Sequence, residues 1–145
     1  LPIATMKAFL SHSSVNKDYV EIVAKELGRQ FCVFDTYSFR SGIDFKISIE
    51  KGLDETNIFA LFTSRDALDS LWVNFEVSEA LYRLIQQRIR RVVVLMMDDT
   101  ISIESLPEWL RRAKICYVKS PKHAAREIRC HIHELLRAHS QPLFI

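Results

Sequence analysis

The stretch NIFALFTS (57–64) is apolar from Ile58 to Phe62, with no polar residue on either of its alternating faces. A half-exposed strand alternates apolar and polar side chains. A short run without alternation suits a strand covered on both sides, as in a parallel sheet packed between helices. Working outward, MKAFLS (6–11), FCVFD (31–35), RVVVLMM (91–97) and KICYVK (114–119) also read as strands, and helical patterns lie between them. Asn16 to Leu27 sets Val20, Val23, Ala24 and Leu27 on one helix face, and Gly28 stands where a helix C-terminal glycine belongs. A helix from Phe45 to Leu53 places Ile49 and Leu53 one turn apart, and another carries Trp72 and runs to Arg88. LPEWLRRA (106–113) reads as a short helix with its proline near the first turn. The last helix carries Ala125, Ile128, Ile132, Leu135 and Leu136 at helical spacing.

Five short strands alternating with helices predict an α/β fold: a flavodoxin-like three-layer sandwich, its five-stranded parallel sheet covered by helices on both faces. Ligands in such folds bind beyond the C-terminal strand ends, where strand order reverses. In the flavodoxin-like order that point lies between the first and third strands, which brings SHSS (11–14) near TSRD (63–66).

A chain of 145 residues is the length of one domain. Residues 1–5 read as linker, 6–139 as the domain, and 140–145 as the start of a further linker. The formal net charge is +2, and the basic residues form only two small groups, Arg88, Arg90 and Arg91, then Arg111, Arg112 and Lys114. Such charge makes no case for nucleic acid; charged helix ends before strands account for it. Cys32, Cys116 and Cys130 are an odd number without a C-x-x-C pair, which points to a reducing compartment, the cytoplasm. No apolar run reaches the roughly 20 residues of a membrane helix, and LPIAT lacks the regions of a signal peptide.

Several chemistries fail on their residues. A response-regulator receiver needs acidic residues after its first strand and an aspartate ending its third; Ser11, His12, Thr63 and Ser64 stand there, and only Lys119 matches. A flavin loop needs glycine, which SHSSVNKD lacks, and neither a P-loop nor G-x-G-x-x-G occurs. CHIHELLRAH (130–139) invites a metal, but on a helix His131 points away from Cys130 and His133, so no metal is expected. The loop DTYSFRSGIDF (35–45) is more informative. Tyr37, Phe39, Ile43 and Phe45 make it too apolar for a plain connector, and Gly42 suits a backbone conformation that other residues dislike. Apolar groups on a long loop suggest a partner surface or a lid, or side chains tucked into the core.

Within SLWVNFEVSEAL (70–81), Glu79 finds Arg83 one turn later, while Glu76 has no basic residue three or four positions away. Its helix begins just after the third strand, near the ligand-bearing edge. A carboxylate there, beside the Trp72 indole, can accept hydrogen bonds from sugar hydroxyls and stabilise developing positive charge. Glu79 is a candidate like-charge neighbour.

Order and spacing sharpen this. KAFLSHSSVNKDYV resembles the first box of the Toll/interleukin-1 receptor (TIR) domain family, with Asp18 after the strand. VFDTYSFRSGIDFKISIEKGLDET is similar to the second box and its BB loop, with Asp35, Gly42, Phe45, Ile49, Gly52, Leu53 and Thr56. FTSRDALDSLWVNFE resembles the third-strand stretch through Ser64, Ser70, Trp72 and Glu76. Ala67 and Val73 stand where an aromatic and a cysteine are frequent.

The resemblance implies cleavage of the nicotinamide–ribose bond of NAD+ by Glu76, with NAD+ as substrate and no cofactor or metal. The product is ADP-ribose or a cyclic variant. Phe9, Trp72 or Phe45 would stack on nicotinamide. Ser11, His12 and the following helix start would meet phosphate, with Arg40 and Arg65 as further phosphate contacts. Asp35, Tyr37, Phe39, Gly42 and Ile43 would serve assembly through the BB loop, one protomer completing its neighbour's pocket in a homo-oligomer or filament. The rival implication is a scaffold that recruits other TIR domains without turnover. By analogy, SQPLFI (140–145) resembles the lead into a signalling NTPase domain, which would make this the effector of an immune or cell-death sensor.

Overall fold

A computed structural model describes residues 6–34 and 42–140, residues 42–45, 72, 139 and 140 by their backbone alone. The strands are β1 (Ala8–Ser11), β2 (Cys32–Val33), β3 (Ile58–Thr63), β4 (Arg91–Met96) and β5 (Lys114–Tyr117); the helices are α1 (Lys17–Leu27), α2 (Gly42–Asp54), α3 (Arg65–Asp69), α4 (Leu71–Ile85) and α5 (Pro121–Ser140). All strand pairs are parallel, in the order β2-β1-β3-β4-β5, so the order reverses beside β1. This is the flavodoxin-like arrangement expected above.

Period-two alternation along the strands divides the core into two layers. Ala8, Leu10, Ile58, Ala60 and Phe62 face one side, where Val20, Val23 and Ala24 of α1 and Ala125, Ile128 and Ile132 of α5 cover them. Phe9, Phe59, Leu61, Val92, Val94 and Met96 face the other, against Ile49 and Leu53 of α2, Ala67 of α3, and Val73, Val77 and Ala80 of α4. Every residue of β3 is buried, as its unbroken apolar run requires. Gly52 lets α2 approach the sheet: a Cβ there would lie 3.1 Å from Phe9 Cε2 and 3.3 Å from Val33 Cγ1.

Several boundaries differ from the sequence reading. Helix α2 begins at Gly42, not Phe45, so Gly42 belongs to the helix rather than the loop. Asp44 then stands in its first turn, where negative charge suits the helix dipole. Helix α3 was not expected; Ser64 caps it, accepting Ala67 N–H at 3.1 Å. Helix α4 stops at Ile85 rather than Arg88 because Gln87 takes φ 64° and Arg88 N–H turns back to Arg83 O at 2.9 Å. That is the backbone pattern of a helix C-terminus usually built on glycine. Glycine does hold the end of α1, where Gly28 has φ 97°. LPEWLRRA forms a 3-10 turn over Glu108–Arg112, with Pro107 just before it.

Candidate functional site

One short helix, α3, separates β3 from α4. Ser70 closes α3, its N–H reaching Ala67 O at 3.2 Å, and opens α4 by accepting Val73 N–H at 3.2 Å. Asn74 Nδ2 donates back to Ser70 O at 2.9 Å and Leu68 O at 3.1 Å, locking the turn. The backbone of Trp72 lies in the first turn of α4, and Glu76 follows one turn on.

Glu76 is only 1 % exposed, and Ser11 Oγ, at the end of β1, donates to its Oε1 at 2.5 Å. A hydroxyl–carboxylate bond of this length is among the stronger neutral-donor contacts. It spans the point where strand order reverses, joining β1 to α4, the second helix after β3. A second link lies beside it: Ser64 Oγ donates to Asn16 Oδ1 at 2.7 Å. Ser64 of TSRD is thus held by Asn16, two residues beyond SHSS, while Ser11 of SHSS is held by Glu76.

Glu79 turns to a cationic partner of its own. It accepts from Arg83 Nη1 at 2.9 Å, and Arg83 Nε reaches Asp54 at 2.8 Å. Burial works against the charge of Arg83, but its hydrogen bonds to Glu79 and Asp54 prevail and raise its pKa.

His12 is buried, and its Nδ1 lies 2.9 Å from Leu10 O, so the neutral ring donates from Nδ1 and keeps Nε2 as an acceptor. Burial pushes its pKa down, the Leu10 carbonyl opposes this, and Lys17 adds to it. The ring stacks on Phe34 at 5.1 Å. Ser13, also buried, accepts Val15 N–H at 3.3 Å.

Three expected substrate contacts have other occupations. Phe9 is 2 % exposed and stacked on Phe59 at 5.9 Å; inward alternation from β1 places it in the core. The Ser11 hydroxyl is committed to Glu76. Arg65 donates to Thr100 Oγ1 at 3.4 Å, tying α3 to the loop after β4 rather than to the Ser11–Glu76 pair. Gly42, Ile43 and Phe45 lie in the backbone of α2. Asp35, Tyr37, Phe39 and Arg40 lie outside the described residues, as do 1–5 and 141–145. Residues that the sequence reading missed are Thr63, buried at the end of β3, and Asn16, whose amide holds Ser64. The apolar run ending in Thr63 carried the signal for the first; nothing local marked the second.

The Cys130 group does not converge on a metal: Cys130 and His133 are exposed, while His131 is buried and its Nδ1 accepts from Arg91 at 3.0 Å. The fold instead gathers Cys116, His123 and Glu127, with ligand atoms within 4.8 Å of one another. There His123 Nδ1 accepts Lys119 N–H at 3.2 Å, leaving the neutral ring's proton on Nε2, 3.7 Å from Glu127. A metal-bound histidine has the reverse arrangement, its free ring nitrogen donating, so His123 is not set as a metal ligand here. Two open grooves of about 300 and 490 Å³ share Leu84, Trp109 and Arg112 near the N-terminal ends of β4 and β5, at the opposite edge of the sheet from Glu76.

Among the described residues no helix is long and apolar enough to cross a membrane. No curated protein matches the chain by sequence. Among solved structures it is similar to the CMP N-glycosidase BcmB of Clostridium botulinum, with 14 % identity, TM-score 0.57, and coverage of 86 % of this chain and 98 % of that one. That likeness concerns the fold. The family profile described as TIR domain matches residues 8–135, from the first strand through most of the last helix, and includes Ser11, Trp72 and Glu76. The chain belongs to the TIR domain family.

Proposed function

We infer that the chain is an N-glycosidase of ribonucleotides, and that its substrate is NAD+, cleaved between nicotinamide and ribose. The observation that carries this is a buried carboxylate, Glu76, fixed by Ser11 Oγ at 2.5 Å where strand order reverses. A dry, oriented carboxylate suits a reaction in which a cationic base departs and leaves an oxocarbenium-like sugar. Glu76 accepts hydrogen bonds from ribose hydroxyls and stabilises the charge that develops as nicotinamide leaves with the bonding electrons. Water then takes the anomeric carbon, giving ADP-ribose; capture by a group of the same molecule gives a cyclic product. NAD+ supplies its own leaving group, so no cofactor enters. The structural neighbour's description as a CMP N-glycosidase supports the bond class and makes CMP the comparison substrate.

Glu76 is sealed in the single chain, so substrate access requires the pocket to open. Self-association supplies that step in this reading, consistent with family membership and with exposed Val15, Leu71 and Ile85 on the surface. Its setting is the cytoplasm of a cell whose immune or cell-death signalling it serves. A second reading, a TIR scaffold without turnover, draws on the same burial, since a carboxylate at 1 % exposure is also what a structural hydrogen bond produces. Base release from NAD+ and from CMP by concentrated protein, followed chromatographically, separates them. Nicotinamide from NAD+ is expected. Cytosine release alone would replace the substrate, and no release alongside visible self-association would leave the scaffold.

A further inference from the structure

Among the described residues, Thr63 Oγ1 is the only buried side-chain polar atom without a hydrogen-bond partner. Thr63 is 0 % exposed and ends β3. Its backbone is fully used: the strand pairs it with Met96, and its carbonyl accepts Met97 N–H at 3.0 Å. An orphaned hydroxyl in a dry layer costs stability, and valine has nearly the same shape without that cost. The fold alone therefore gives no reason for the oxygen.

Its position supplies one. Ser11 on β1 aligns with Leu61 on β3, and Thr63 lies two residues further along the same strand face. That face carries Phe59 and Leu61 into the layer packed by Val73, Val77 and Ala80 of α4, the helix that bears Glu76. Two hydroxyls and one carboxylate thus enter a single layer, at neighbouring C-terminal strand ends, where the order reverses. The Ser11 hydroxyl is bound to Glu76; the Thr63 hydroxyl is bound to nothing.

We propose that Thr63 is a further substrate-binding residue of this site, its hydroxyl holding one ribose hydroxyl of the nucleotide while Glu76 holds the neighbouring one. The proposal rests on the N-glycosidase reading above. A vicinal diol calls for two polar partners side by side, and a hydroxyl complements a carboxylate because it donates as well as accepts. Thr63 makes and breaks no covalent bond.

The test compares Thr63→Val and Thr63→Ser with the unaltered chain in nicotinamide release from NAD+ and in thermal unfolding. Thr63→Val should lower kcat/KM about tenfold, the worth of one buried hydrogen bond, while raising Tm by about 3 °C. Thr63→Ser should keep most of the activity. Activity and stability moving in opposite directions, with rescue by serine, is a signature that a packing role does not produce. An NAD+ analogue lacking the ribose hydroxyl held by Thr63 should be cleaved equally well by the unaltered chain and Thr63→Val. Unchanged turnover in Thr63→Val, or losses of activity and stability together in both variants, overturns the proposal and leaves the parent reading standing. An unaltered chain that releases no base from NAD+ or CMP overturns both.

Discussion

Replacing Ser11 with alanine tests how Glu76 is held. Both residues are essentially sealed, at 0 % and 1 % exposure, and the 2.5 Å contact joins the end of β1 to the second turn of α4. A hydrogen bond to a carboxylate is worth about 1.5–3 kcal/mol, and removing the donor forfeits that contact at a buried oxygen. Ser11→Ala is therefore expected to cost about 2 kcal/mol. An unfolding entropy near 2.1 cal/mol/K per residue, over the chain's 145 residues, is about 0.3 kcal/mol/K, so Tm should fall by about 7 °C. Calorimetry or circular dichroism at pH 7.5 measures this. A cycle of Ser11→Ala, Glu76→Ala and the double variant should show coupling of about 1.5–2 kcal/mol. A Ser11→Ala chain within about 0.5 kcal/mol of the unaltered one, or an additive cycle, would refute the claim that this hydroxyl fixes the carboxylate.

Other consequences follow from packing and protonation. Gly52→Ala should destabilise: the roughly 1 kcal/mol that alanine gains in a helix is outweighed by a Cβ placed 3.1 Å from a Phe9 ring already packed on Phe59, and a raised Tm would contradict this. Gln87→Gly should stabilise by about 0.5–1 kcal/mol because glycine accepts the positive φ that ends α4, read as a higher denaturation midpoint at unchanged slope. His12 and His131 both have pKa values lowered from 6.5, burial being the first cause, with Lys17 acting on His12 and Arg91 on His131. The unfolded chain binds protons at these rings before the folded one does. Stability is thus fully present above about pH 6.5 and declines below it, towards the folded-state values. Tm should be lower at pH 5.5 than at 7.5, and His12→Asn, which can still donate to Leu10 O, should flatten the slope.

The α/β order was legible because its physics is local. The unalternating β3 and the helical stripe of Val20, Val23, Ala24 and Leu27 each state their burial in single residues, and the sheet order follows from connection rules. The position of Glu76 was legible from the absence of a basic residue three or four positions away in the sequence and from the spacing that marks the family. What the sequence did not disclose depended on contacts distant along the chain. Ser11 looked like a phosphate contact until the fold put Glu76, 65 positions on, against it. Phe9 looked available for stacking, though strand alternation turns it inward beneath Gly52. The end of α4 was misplaced because Gln87, not a glycine, takes the left-handed conformation. Helix geometry turns His131 away from Cys130 and His133 but does not disclose that β4 brings Arg91 against it.

The most direct measurement is nicotinamide release from NAD+ by concentrated protein, unaltered beside Glu76→Gln, with Tm recorded on the same samples. Glutamine keeps the shape and an oxygen to accept from Ser11, but not the charge that would stabilise an oxocarbenium-like sugar. Turnover in the unaltered chain and its loss by a factor of about 100 or more in Glu76→Gln, with Tm shifted by no more than a few degrees, is the predicted result. Equal turnover in both would contradict the role given to Glu76.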